Sequence, residues 1–387
     1  MIPDKSTPMQ SWTFHNPTSV FFGPGVRRKL AELIRNHHCL IVTSLRGHRQ
    51  FCEDVVLGGL AVSDAHTWMT EVLPQPELTK IQTSLDALAG KRFDAVVAFG
   101  GGSAMDTAKA MALCLAQESP SRNLADVLGS TSFNCKIKSL PLYAVPTTSG
   151  TGSEVTPFAT IWDMVQKKKR SLANESIFPC TAVVDPELTY GLPWEVTLST
   201  GLDAFNQAFE SVWNKNVSNI SFQLAVQAVR LGFDALPKLK QNMDNTHARS
   251  ALAEASLLSG LCISQTRTAL CHAISYPLSL RFGLSHGFAC AFSMRAIAEL
   301  CLKNRIPAYE ALAAAIGIGN SKSLTDTIFS LFEILEVNPH IKTNLPDLNA
   351  LLKLTDEMYT ASRSDNFIVP VNEMTLLDII KDSYDML

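Results

Sequence analysis

At 387 residues the chain is longer than one compact core accommodates, so two domains are expected. Hydrophobic residues make up 46% and charged residues 18%, the balance of a globular protein, and a net charge of −3 leaves no electrostatic footprint for nucleic acid. No uninterrupted apolar run approaches the roughly 20 residues that cross a bilayer. The start, Met1-Ile-Pro-Asp-Lys-Ser-Thr-Pro8, lacks the charged-then-apolar order of a signal peptide. Nine cysteines (Cys39, Cys52, Cys114, Cys135, Cys180, Cys262, Cys271, Cys290 and Cys301) include no C-x-x-C pair. They read as reduced, buried thiols of a cytoplasmic protein without nucleic-acid or membrane partners.

In chain order, Ser19–Phe22 is a short apolar strand closed by Gly23-Pro-Gly25, and Val26–Asn36 has helical spacing through Leu30, Leu33 and Ile34. Cys39–Thr43 is a second strand and Glu71–Leu73 a third. Leu78–Ala89 reads as a helix, Ala95–Phe99 as a strand, Met105–Leu115 as a helix and Pro141–Val145 as a strand. The basic run Lys167–Arg170 reads as a solvated loop. Apolar strands alternating with amphipathic helices predict a parallel sheet covered on both faces. From Pro193 onward the pattern is helical: Pro193–Phe209, Ser221–Leu239, His247–Leu270, Gly287–Leu302 and shorter helices after Pro307. The expected division is 1–187, an α/β dinucleotide-binding domain, and 188–387, an all-α metal and substrate domain, with a cleft between them.

Two segments of the first half carry chemistry. Gly100-Gly101-Gly102-Ser103 lies between a buried strand and a helix, where glycines let an anion approach free N–H groups at the positive end of the helix dipole. It is not the G-x-G-x-x-G fingerprint. Pro146-Thr147-Thr148-Ser-Gly-Thr151-Gly-Ser153-Glu154 is dense in hydroxyls and glycine, a composition that hydrogen-bonds phosphate, ribose and nicotinamide, or else forms a polar surface loop. In the second half, Asp203 and Gln207 share one helix face, and His272 and His286 lie 14 residues apart in apolar surroundings. One carboxylate and two imidazoles make a divalent-metal set suited to iron, zinc or manganese, or alternatively satisfied core histidines.

Phe22-Gly-Pro-Gly25, Gly100–Lys109 with Asp106, Pro146–Glu154, Asp185-Pro-Glu-Leu-Thr189, Gly201-Leu-Asp203-Ala and His286-Gly287 together resemble the iron-containing (group III) alcohol dehydrogenases, relatives of glycerol dehydrogenase and dehydroquinate synthase. The resemblance covers nearly the whole chain. It implies a Rossmann-like parallel-sheet domain followed by an all-α domain, a nicotinamide cofactor in the cleft, a metal near its reactive ring, and a homodimer. Cofactor contacts are implied at Ser44, Gly100, Gly101, Gly102, Ser103, Asp106, Thr147, Thr148, Thr151, Ser153 and Lys169.

Asp203, His272 and His286 match three of the family's four metal ligands, and Gln207 stands where the family usually has the fourth, a histidine, either ligating through its weaker amide oxygen or leaving a site that holds metal poorly; iron is the implied metal, with zinc and manganese as alternatives. Tyr276 replaces another family histidine near the reacting alcohol, where a phenol relays a proton or serves structurally. Ser44, with Arg46 after it, stands where NAD-preferring relatives often carry aspartate, which leaves both NAD(H) and NADP(H) open. Ser264–Leu278 and Gln207–Asn214 are similar to the family branch of phosphonoacetaldehyde reductases. Arg267, five residues before His272, is the expected cation for a phosphonate, and Arg363 a second. The implied reaction is metal-assisted hydride transfer between NAD(P)H and an aldehyde. The alternatives are a reductase of simple aldehydes, a metal-free keto-acid reductase and a silent NAD-binding regulator.

Overall fold

The computed structural model describes residues 11–62, 65–117, 123–129, 138–166 and 168–387. The readings of Met1–Pro8, Cys135 and Lys167 lie outside the described residues. Eight strands are β1 (Ser19–Phe22), β2 (Cys39–Val42), β3 (His66–Met69), β4 (Ala95–Gly100), β5 (Leu142–Pro146), β6 (Phe158–Asp163), β7 (Lys168–Ala173) and β8 (Thr181–Val184). Six of them form one parallel sheet in the order β1-β8-β5-β4-β2-β3. The remaining two, β6 and β7, form an antiparallel hairpin. Helices α1 (Lys29–Ile34), α2 (Leu45–Glu53), α3 (Gly58–Ala61), α4 (Leu78–Ala87), α5 (Gly102–Leu115) and α6 (Leu124–Gly129) accompany the sheet.

Side chains of β2 and β4 alternate between two apolar clusters. Leu40, Val42, Val96 and Ala98 pack with Met105 and Met111 of α5. Cys39, Ile41, Val97 and Phe99 pack with Leu30, Ile34 and Phe51 on the other side. Burial on both faces is why these strands read as unbroken apolar runs. Each fully buried Val, Leu, Ile or Phe contributes about 1.5–3 kcal/mol, so the sheet is a rigid platform for the loops at its carboxyl edge.

The third strand differs from the expectation. It is His66–Met69, paired residue for residue with Cys39–Val42, whereas Glu71 makes only an isolated bridge to Ser44. The pairing uses Thr67 and Trp68, β-branched and aromatic residues that favour a pleated surface. The Lys168–Arg170 run is likewise no solvated loop but part of β7, opposite Ile161–Asp163.

The second half is helical: α7 (Trp194–Val212), α8 (Asn219–Gln241), α9 (Thr246–Thr266), α10 (Leu270–Phe282), α11 (His286–Lys303) and further helices from Pro307 to Asp385. Ser218 and Ser221 cap α8 reciprocally, and Asn245 caps α9 through the Ala248 N–H. The expected single helix His247–Leu270 breaks at Arg267, which has φ 61°, and α10 starts afresh at Leu270. The two halves meet through Val155, Ala182 and Val184 packed on Ala253 and Leu257 of α9. Beside that seam Gly152 and Gly260 touch backbone to backbone: a Cβ on Gly152 would lie 2.3 Å from the Gly260 Cα.

Candidate active site

Ser44, Gly100–Ser103 and Thr147–Ser153 follow the carboxyl ends of three adjacent strands, β2, β4 and β5. Ligands of open parallel sheets bind at this edge. Gly100 has φ 151°, a conformation that favours glycine, and the Thr147 N–H donates to its carbonyl at 3.0 Å. Gly101 and Gly102 let the Thr148–Thr151 loop come close: a Cβ on Gly102 would stand 2.5 Å from the Thr151 methyl, and one on Gly101 3.1 Å from the Thr148 Oγ1. The resulting trough is walled by hydroxyls and floored by the start of α5, whose free N–H groups suit a pyrophosphate. A side chain on either glycine would drive the Thr148–Thr151 loop away from the start of α5, and the backbone N–H groups and hydroxyls brought together there fit the pyrophosphate of a dinucleotide.

Several residues expected to bind cofactor have side chains engaged elsewhere. Ser44 caps α2, accepting from the Gly47 N–H at 3.1 Å, and the Ser103 Oγ donates to the Pro74 carbonyl. Asp106 accepts from the Ser153 Oγ at 2.9 Å and from the Thr160 N–H at 2.8 Å. The buried Lys109 donates to the Ser153 Oγ at 2.7 Å, the Thr156 Oγ1 at 3.2 Å and the Phe158 carbonyl at 2.7 Å. Asp106, Lys109 and Ser153 thus lock the trough wall and β6 onto α5. Burial lowers the Lys109 ammonium to about 8, against the pull of Asp106 and Glu154.

Across the seam, α7 presents Asp203, Gln207 and Glu210 on one face, at helical spacing. Glu210 is fully buried. It accepts from the backbone N–H of Ala269 at 2.9 Å and of His272 at 3.1 Å, and lies 2.6 Å from the His272 Nδ1. It therefore caps α10, which explains the helix break, and it fixes the histidine tautomer. The Nε2 stands 3.2 Å from the Asp203 Oδ1: it donates to that oxygen when the ring carries both protons, and it is the nitrogen free to bind a cation when only Nδ1 is protonated.

His286 comes from the first turn of α11, its Nε2 3.8 Å from the same Asp203 oxygen. Gly287 makes this possible, since a Cβ there would sit 1.6 Å from the Ser199 carbonyl of α7. Cys290, one turn further along α11, joins the set. Donor atoms of Asp203, His272, His286 and Cys290 all lie within 4.8 Å of one another.

Gln207, the candidate fourth donor, is fully engaged in hydrogen bonds. Its Nε2 donates to the Asp203 Oδ1 at 3.1 Å and to the Thr151 carbonyl at 3.3 Å, while its Oε1 accepts from the Ser259 Oγ at 3.1 Å. A carboxylate oxygen needs a donor opposite it, so the amide turns its nitrogen, not its oxygen, toward the cluster.

Charges in the cluster are strongly coupled. Burial opposes ionisation of Asp203, yet His286 and His272 hold its carboxyl below the ordinary range. Burial likewise opposes charging of His272 and His286, but Cys290 with Glu210 raises the first and Cys290 with Asp203 the second. The Cys290 thiol, against its own burial, is brought down to about 7 by the two imidazoles. A carboxylate, two oriented imidazoles and a readily deprotonated thiol are donors that a divalent cation organises, so the residues fit a metal.

Tyr276 lies next to this cluster, its ring stacked on His286 at 6.2 Å and 6°. Two cations approach it: the Lys169 Nζ stands 3.3 Å from the ring centre and the Arg363 Cζ 5.0 Å. Neither cation has an ion-pair partner among the described residues. Burial and the neighbouring Arg363 push the Lys169 ammonium well below the usual lysine range. Arg267 is not in this group. It is exposed at the end of α9, 5.6 Å from the Phe158 ring, and the arginine beside Tyr276 is Arg363.

The trough at the edge of the parallel sheet and the histidine–carboxylate cluster on the helices lie side by side, joined by the Gln207–Thr151 hydrogen bond. The model for iron-containing alcohol dehydrogenase matches residues 17–186, and the model for the C-terminal part of the Fe-containing alcohol dehydrogenase family matches residues 197–382. The chain belongs to the iron-containing alcohol dehydrogenase family. Among its relatives, a 1-propanol dehydrogenase of Salmonella typhimurium is 30% identical over 74% of this chain and 72% of its own. A phosphonoacetaldehyde reductase of Streptomyces viridochromogenes is 37% identical over 240 residues, which is 61% of this chain and 60% of that protein's length. The crystal structure of sulfoacetaldehyde reductase from Bifidobacterium kashiwanohense in complex with NAD+ superposes with a TM-score of 0.84 at 28% identity, covering 96% of this chain and 98% of its own.

Of the described cysteines none is in a disulfide, but Cys52 and Cys180 are exposed, unlike the expectation of uniform burial. No helix among the described residues is long and apolar enough to cross a membrane.

Proposed function

We propose that the protein reduces an aldehyde carrying an anionic tail to the primary alcohol with NADH or NADPH, the specific reaction being phosphonoacetaldehyde to 2-hydroxyethylphosphonate. The observation that carries this reading is the pair Lys169 and Arg363, two cations without acidic partners converging on Tyr276 beside the histidine cluster. Burial and Arg363 disfavour the charge on Lys169, and a phosphonate dianion between the two groups restores it through charge-assisted hydrogen bonds. Similarity to reductases of phosphonoacetaldehyde and sulfoacetaldehyde, both anionic aldehydes, supports it.

When bound, the nicotinamide supplies the hydride, and a divalent cation held by Asp203, His272 and His286 supplies Lewis acidity toward the carbonyl oxygen. The chain's own residues do the rest. Gly100, Gly101, Gly102 and the start of α5 receive the pyrophosphate, and Thr147, Thr148 and Thr151 orient the remainder of the dinucleotide. Ser44 and Arg46 leave room for a 2′-phosphate. Burial raises the Tyr276 phenol above its ordinary range, with Arg363 opposing, so its O–H stays available to protonate the product oxygen. The disulfide-free cysteines support a cytoplasmic location, and family membership supports a homodimer.

The test compares kcat/KM for phosphonoacetaldehyde and butanal. Arg363→Ala and Lys169→Ala are each expected to lower the phosphonate value about 10–100-fold, the worth of one charged hydrogen bond. Butanal should change by less than about threefold, and Arg267→Ala should leave both substrates within that range. Equal losses on both aldehydes would overturn the anionic-substrate reading.

A further inference from the structure

We propose that Cys290 is the fourth protein ligand of the metal site, in the place left by Gln207, and that the thiolate tilts the site toward zinc or cobalt and away from iron. The proposal rests on the reading above that this cluster holds a divalent cation.

Three independent features carry it. The first is the shape of the donor set. A tetrahedral ion with bonds of about 2.0–2.1 Å to nitrogen or oxygen and about 2.3 Å to sulfur separates its donors by about 3.3 Å for N/O pairs and about 3.6 Å for S–N pairs. The structure has 3.2 Å between the His272 Nε2 and the Asp203 Oδ1, 3.8 Å between the His286 Nε2 and that oxygen, and 3.8 Å between the Cys290 Sγ and the His286 Nε2. These are three of the six edges of such a tetrahedron, each within about half an ångström of its ideal length, and no pair of the four donors is more than 4.8 Å apart.

The second is what Cys290 touches. Its sulfur is fully buried and contacts the imidazoles of His286 and His272. Other thiols satisfy themselves on backbone: the buried Cys262 donates to the Ser221 carbonyl and the exposed Cys180 to the Leu142 carbonyl. Cys290 is turned instead toward ring nitrogens that are themselves aimed at a common point. Its position is set by the i, i+4 spacing from His286 and by Gly287, which presses α11 against α7.

The third is the state of Gln207. Its oxygen is taken by Ser259 and its nitrogen braces Asp203, so it acts as a positioning residue for the carboxylate ligand. Loss of one imidazole donor and gain of one thiolate donor leave the number of donors unchanged but soften the set. Soft sulfur ligands favour zinc and cobalt in tetrahedral geometry over iron(II) with N/O ligands. Four protein donors still admit a substrate oxygen, because zinc expands to five-coordinate during turnover.

Cobalt spectroscopy tests this without reference to activity. In a Cys52→Ser, Cys135→Ser, Cys180→Ser background, which removes the exposed thiols among the described residues together with Cys135, the metal-stripped protein takes one equivalent of Co2+. The expected spectrum has intense visible bands of a tetrahedral ion and a near-ultraviolet sulfur-to-cobalt charge-transfer band. Cys290→Ser should lose the charge-transfer band and keep bound cobalt, whereas Gln207→Ala should keep the band. The preference for Zn2+ over Fe2+ in competition should fall at least about tenfold in Cys290→Ser, the size of a lost ligand's partial contribution.

Stoichiometric cobalt without the band, or a band that survives in Cys290→Ser, overturns the proposal and leaves the metal site standing. Failure to bind any cobalt removes both. Should Cys290→Ser not fold, X-ray absorption at the cobalt edge of the unaltered protein decides: one sulfur at about 2.3 Å is expected, and a shell of nitrogen and oxygen alone overturns the assignment.

Discussion

The Glu210 carboxylate makes three contacts at once, to two backbone N–H groups at the start of α10 and to the His272 ring. One buried charge thereby starts a helix and orients an imidazole. Glu210→Gln keeps the size of the side chain and removes the charge, so the tautomer and basicity of His272 are no longer enforced. Metal affinity should fall about 10–100-fold by chelator competition, with the circular-dichroism spectrum retained; unchanged affinity would show that α10 alone orients the ring. Asp203, His272 and His286 were legible in the chain because few apolar helices carry such residues without purpose. Glu210 was not, since a glutamate inside an amphipathic helix reads as a solvated charge until the fold buries it. Arg363 ranks second to Arg267 in the sequence for a related reason. Nearness in sequence to His272 favoured Arg267, while only the packing of the C-terminal helices brings residue 363 over Tyr276.

Among the elements, the strands of the sheet core and the helices α5, α7, α8 and α11 were readable to within a few residues, because burial of strands on both faces and of one helix stripe leaves opposite periodicities. The misses have identifiable causes. Strand β3 is short and half-exposed, and it owes its place to pairing with β2 rather than to its own pattern. Hairpin β6–β7 was hidden by the charge of its second strand. The break between α9 and α10 comes from Glu210, more than 50 residues upstream.

Lys109 gives the α5–β6 junction a pH signature. Its ammonium titrates near 8 in the native protein and near 10.5 in the unfolded chain. Between those values the unfolded chain binds the extra proton, so stability rises with pH across this window; below about 8 both states are protonated and burial costs its full amount. Relative to Lys109→Met, the protein should gain roughly 3 kcal/mol between pH 7.5 and 10.5. Urea midpoints of the two proteins at both pH values measure this, and a constant gap between them would refute it.

At the scale of the whole molecule, chemistry is divided between the halves. The sheet edge holds the trough and the helices hold the metal donors, while Lys169 reaches from the β6–β7 hairpin of the first half to Tyr276 of the second. That division was visible in the sequence as a change from alternating to purely helical patterning. The seam itself was not, because Gly152 and Gly260 become meaningful only when brought face to face. Nothing larger than hydrogen separates them there, so the distance across the cleft is set by bare main chain with no compressible side chain to absorb an error. A methyl group on residue 260 works as a shim, tilting one half against the other. Hydride transfer tolerates little of this, since a displacement of about 1 Å costs on the order of 100-fold in rate. Gly260→Ala is therefore expected to keep its metal and lose kcat by about that factor at saturating cofactor, and undiminished turnover would mean that the seam yields. The fine adjustment of the reaction would then reside in a residue that touches neither reactant, as the focus of a lens resides in its mount.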